Sequence, residues 1–235
     1  MSMTADAILG EIFDSPSDPL YAPLAEWIRA DRRLRTFAER YRVKIRRKLR
    51  GIADQEGFAD LQFELEVARW LLQESRFEVE YETFDARQGG PDYTVTFRVN
   101  TKFNVEVRRI RTQETGEARV RKLTDTLADK TRQMPPSAIN LLVLTDGLPS
   151  GDDLVQAATA LRGLAERKVE DYFAHRGYKN AADFLRQYRQ LSGVFFKAES
   201  GQLWLNPLAK HPLPKDLALA LERLPAWGMG SSEEM

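Results

Sequence analysis

Phe77, Val79 and Tyr81 alternate with Glu78, Glu80 and Glu82, the period-two mark of a half-buried strand. After a turn at Gln88-Gly89-Gly90-Pro91 the alternation resumes over Asp92–Val99, with Tyr93, Val95, Phe97 and Val99 on one face. Asn100-Thr101 turns the chain again, and Phe103, Val105 and Val107 mark a third strand. Connections this short predict an antiparallel meander.

On both sides of the meander the period becomes helical. The segment 1–23, with Ser15-Pro16, Asp18-Pro19 and Pro23, reads as loop with one short helix. Leu24, Trp27, Ile28, Leu34, Phe37, Tyr41, Ile45 and Leu49 predict two helices, closed by Gly51, and a further helix runs over 58–75. Beyond the strands, 117–134 reads as a helix ended by Pro135-Pro136. Ile139–Leu144 is a continuous apolar run, as in a strand covered on both faces. Helices follow over 152–176 and 181–191, and then a hairpin of 194–196 and 203–205 across Glu199-Ser200-Gly201. The tail from Trp227 is rich in Gly, Ser and Glu and reads as loose. The expected organisation is a helical arm over 1–57, an α/β core with C-terminal additions over 58–206, and a terminal segment over 207–235.

Charge changes the picture in one place. The 35 basic and 35 acidic residues cancel overall. From Arg29 to Arg50, however, eleven basic residues face only Asp31 and Glu39, a local net charge of +9. Arg42, Arg46, Arg47, Lys48 and Arg50 are therefore candidates for phosphate contacts, with Arg109 and Arg111 as a second cluster. The bland alternatives are a solvated helix face, or partners for the acidic strand of Glu78, Glu80 and Glu82. No stretch has the apolar length of a membrane span, and the first residues lack a secretory pattern, so a cytoplasmic location without a membrane partner is expected. Without cysteine there is no thiolate ligand or nucleophile, and no ligand spacing surrounds His175 or His211. Any metal ligands are then carboxylates.

On the third strand Lys102, Asn104, Glu106 and Arg108 share the face opposite Phe103, Val105 and Val107. Asp92 opens the neighbouring strand, so two carboxylates are directed to one polar patch. Their repulsion is relieved by a divalent cation. Gly-Gly-Pro91-Asp92 followed by Val105-Glu106-Val107-Arg108, with thirteen residues between Asp92 and Glu106, resembles the PD-(D/E)xK nuclease motif with arginine in the place of lysine. Phe63–Leu72, leading into the strand at Phe77, resembles that superfamily's first core helix with its glutamate at Glu64.

The resemblance implies a restriction-endonuclease-like α/β core, ordered helix, meander, helix, buried strand, with basic N-terminal helices and a C-terminal helix-plus-hairpin extension. It implies Glu64, Asp92 and Glu106 as ligands of Mg²⁺ or Mn²⁺, and a nuclease acting on nucleic acid, DNA first. Arg108 keeps its proton and serves as a phosphate clamp, not a base. The missing amine is sought at Lys102 or Lys130. Outside the family reading, Glu106 is a cross-strand partner of a base such as Arg98. Lys130 then pairs with acids on its own helix, and Glu64 is balanced by Arg69. Three functional readings stay open: a metal-dependent nuclease, a degenerate nuclease fold that binds nucleic acid or serves assembly, and a protein-interaction domain whose basic helix meets an acidic partner. Oligomeric state stays open too, a homodimer included.

Overall fold

The helical spacing ahead of Phe77 resolves into α1 (Ala5–Ile12), α2 (Tyr21–Ala30), α3 (Arg32–Arg50) and α4 (Gln55–Leu72). The computed structural model describes residues 3–82, 90–111, 115–145, 151–196 and 202–225. Side-chain caps set the helix starts. Thr4 accepts from the Ala7 N–H, Asp31 from those of Arg33 and Leu34, and Asp54 from that of Gly57. In α3, Leu34, Phe37, Ala38, Tyr41, Ile45 and Leu49 form the buried stripe.

Two compact units divide the chain, Met1–Ser75 and Arg76–Met235. Helix α4, expected to open the α/β core, falls in the first unit, and the 57/58 boundary falls inside that unit. The Arg33 guanidinium on α3 donates to the carbonyls of Leu72 and Glu74, and Arg69 on α4 lies 5.6 Å from the ring centre of Trp27 on α2.

The second unit is a mixed α/β layer structure. Its strands are β1 (Phe77–Tyr81), β2 (Tyr93–Phe97), β3 (Thr101–Arg109), β4 (Ile139–Thr145), β5 (Gly193–Phe196) and β6 (Gln202–Leu205). They form one sheet in the order β1-β2-β3-β4-β5-β6. Strand β2 is antiparallel to both β1 and β3. Strand β4 is parallel to β3 and β5, and β6 turns back antiparallel on β5. The parallel β3–β4 step is bridged by α5 (Glu117–Thr131). Helices α6 (Gly151–Glu166), α7 (Glu170–Ala174) and α8 (Ala181–Tyr188) follow β4, and α9 (Lys215–Glu222) follows β6. Among the described residues, no helix is long and apolar enough to cross a membrane.

Two elements depart from their sequence expectation. The strand expected over 92–99 stops at Phe97, which pairs with Thr101. Arg98 takes a positive φ of 59°, and Val99 is 91% exposed at the turn and does not join the buried strand face. The helix expected over 152–176 breaks at Lys168, whose φ of 55° lies outside the helical region, into α6 and α7. The turn residues Gln88, Gly89, Glu199, Ser200 and Gly201 and the tail from Trp227 lie outside the described residues.

Leu123, Leu127 and Ala128 of α5 pack with Leu142 and Leu144 of β4, Val194 and Phe196 of β5, and residues of α6 and α8 in one buried cluster. The sheet centre also holds a polar chain that composition did not announce. The Asn104 side chain donates to that of Asn140 at 3.0 Å, and Asn140 Nδ2 lies within bonding distance of the carbonyls of Pro135, Ala138 and Gln190. Ser192 Oγ accepts from the Asn140 N–H and donates to the His211 carbonyl. Asn140 is 2% exposed, so its loss leaves buried carbonyls without a donor. Asn140→Ala is expected to lower stability by about 2–4 kcal/mol in urea denaturation. A loss under about 0.5 kcal/mol would mean that the network is not under tension to stay paired.

Candidate active site

The site starts where β2 ends. The β2–β3 register pairs Tyr93 with Val105 and Thr94 with Asn104. Continued one step it sets Asp92 opposite Glu106, and one further it sets Pro91 opposite Val107. Proline has no N–H and cannot extend the ladder there. Beyond the last ladder pair the Asp92 side chain takes part in the bonding, with Oδ2 accepting from the Val107 N–H at 2.8 Å, while the Asp92 backbone carbonyl accepts from the Glu82 N–H. Pro91-Asp92 therefore anchors a carboxylate beside the residue that follows Glu106.

Glu106 is met from the helix layer. It lies opposite Leu142 in the β3–β4 register, on the face that α5 covers. Lys130, near the end of α5, places Nζ 2.5 Å from Glu106 Oε1 and 3.1 Å from Gln133 Oε1. The side chains of Lys130 and Glu106 are 16% and 13% exposed, so water screens the pair only weakly. Pro91, Asn104, Glu106, Gln133, Met134, Pro135, Asn140 and Leu141 line a small cleft beside them. An anchored carboxylate, a second carboxylate opposite it, an ammonium group and an amide carbonyl thus share one end of the sheet. No family model, curated protein or solved structure matches the chain.

As a donor set, Asp92 and Glu106 suit a hard dication. Mg²⁺ takes one or two carboxylates and keeps several waters, and the cation that faces Glu106 in the structure is the Lys130 ammonium. Among the described residues, no group of three or more His, Asp or Glu side chains is placed to hold a metal ion.

The remaining candidates separate by location. Arg108 is exposed on the Glu106 face of β3, past the Lys130 contact. Arg109 is half-buried and Arg111 exposed at the end of that strand. Glu64, on α4 in the first unit, is 12% exposed and held by Lys48, Nζ to Oε1 2.5 Å. The bland pairings expected from sequence are replaced by others. Lys130 reaches across to β3, Arg98 pairs with Asp216 at 2.9 Å, and Arg69 lies against Trp27.

The basic helix is anchored by α1 and the turn after it. Arg42 pairs with Glu11, Arg46 with Asp14 at 2.6 Å and with the Glu11 carbonyl, and Arg50 with Asp14 at 3.0 Å. Arg42, Arg46 and Arg50 recur every four residues, so one face of α3 acts as internal counter-charge. The exposed basic residues of α3 are Arg32, Arg40, Arg47 and Arg50, the last of them still paired with Asp14.

A hydrogen bond from Arg50 holds the Asp14 carboxyl below its usual range; burial opposes this, and the Arg46 charge reinforces it. A lowered folded-state value gives stability that is present above about pH 4 and is lost as pH falls through the folded pKa. Asp14→Asn should therefore flatten the acid side of the stability curve, read as the melting temperature of the full chain below about pH 4 by circular dichroism. An acid limb as steep as that of the wild type would remove the α1–α3 clamp from the account.

Proposed function

We propose that the chain is a divalent-metal-dependent phosphodiesterase of nuclease type, acting on nucleic acid with DNA as the first substrate to test. One observation carries the reading: the amine that the motif strand lacks at Arg108 is supplied to Glu106 by Lys130 from the following helix. The strand order supports it as well, with an antiparallel β1-β2-β3 meander and β4 parallel to β3 across α5, the order of the restriction-endonuclease-like core. Bound at Asp92 and Glu106, Mg²⁺ or Mn²⁺ supplies a Lewis acid for a phosphate oxygen and a more acidic water.

The chain's own groups do the positioning. Asp92 is held by the Val107 N–H beside Glu106. Lys130 brings an ammonium group to Glu106, suited to orienting a water or neutralising developing negative charge. Arg108, exposed on the same strand face, suits a bidentate grip on a phosphate of the substrate. The second reading, a nuclease fold that binds nucleic acid without cutting it, draws on the arginine at the motif's lysine position.

Cleavage of single-stranded and duplex DNA should require Mg²⁺ or Mn²⁺ and stop on chelation. Asp92→Ala, Glu106→Ala and Lys130→Ala should each lower the rate by roughly 10²-fold or more. In the Lys130→Ala background, Arg108→Lys should restore part of the lost rate, because it returns an amine to the strand position. Wild-type protein that binds DNA but never cleaves it with either metal would decide for the binder.

A further inference from the structure

In the structure the carboxylate proposed as a metal ligand already holds a cation, and that cation belongs to the protein. Lys130 Nζ sits 2.5 Å from Glu106 Oε1, in a place where both side chains are largely shielded. A dication arriving at Glu106 would then share a poorly screened site with an ammonium group, and like charges at that range repel strongly. The same amine also lies 3.1 Å from Gln133 Oε1, a neutral acceptor three residues on, in the turn that follows α5. It can leave the carboxylate without losing its last hydrogen bond.

We infer that Lys130 is a displaceable resident cation: it occupies Glu106 in the metal-free protein, and metal uptake moves it onto Gln133. This rests on the assignment of Asp92 and Glu106 as metal ligands, and it adds a cost to metal binding that the lysine itself imposes. Two consequences follow from the charges alone. Metal affinity is held down by the lysine, and the bound metal exposes the lysine amine. A group that only orients a water would produce neither effect.

The test uses the full chain and Mn²⁺ alone, without nucleic acid. By isothermal titration calorimetry, Lys130→Gln should bind Mn²⁺ about tenfold or more tightly than the wild type, since a like charge has left a shielded site. Adding Glu106→Gln to that variant should abolish the gain. Equal affinity in wild type and Lys130→Gln, with both lost on Glu106→Gln, would overturn the displacement and leave the metal site standing. No Mn²⁺ uptake by either protein would overturn both. The wild type gives a check that does not depend on the variant folding. Reductive methylation followed by peptide mass spectrometry should label Lys130 several-fold faster with Mn²⁺ present, and unchanged labelling in a protein that binds Mn²⁺ would also overturn the displacement.

Discussion

The proposed site depends on one shielded contact, the ion pair between Lys130 and Glu106. Two oppositely charged groups, both largely withdrawn from water, lose hydration that their mutual attraction offsets only in good geometry. That geometry depends on the layers. Glu106 must face the helix side of β3, α5 must cross that face, and β4 must lie parallel to β3 beneath it. The buried chain from Asn104 through Asn140 to Ser192 ties β3, β4 and the entry to β5 together, so the strand carrying Glu106 is held on the same side as the cleft. Breaking up a site of this kind leaves either a shielded charge or a shielded amide without a partner, and either outcome is costly.

Much of this architecture was legible in the sequence because alternation and helical spacing are strong local signals. The three strands of the meander, the buried β4 and the bridging α5 all follow from the period of apolar residues. The failures were local as well. Val99 fits the alternation of β2, yet the tight pairing of Phe97 with Thr101 turns it outward. The break at Lys168 left no mark in the apolar spacing, because it rests on one backbone angle.

The site was legible in part. Asp92 and Glu106 stood out as carboxylates at or beside strand positions, and the register alone brings Asp92 close to the Val107 N–H from which its side chain accepts. Lys130 had a readable clue, since it continues the Val120, Leu123 and Leu127 stripe by three more residues and so points toward the sheet. Asn104 and Asn140 had one too, as amides inside apolar runs. What sequence does not reveal is partner choice. The basic residues of α3 fit phosphates and carboxylates equally well by composition, and only the packing of α1 shows that Arg42, Arg46 and Arg50 are engaged by Glu11 and Asp14.

We propose Asp92 and Glu106 as one cation site whose metal-free occupant is Lys130. A crystal structure of the full chain soaked in Mn²⁺, with data at the manganese absorption edge, tests it most directly. The account predicts an anomalous peak about 2 Å from one oxygen of each carboxylate, with the Lys130 amine withdrawn to Gln133. A peak elsewhere, or a well-ordered Lys130–Glu106 pair in the presence of saturating Mn²⁺, would contradict it.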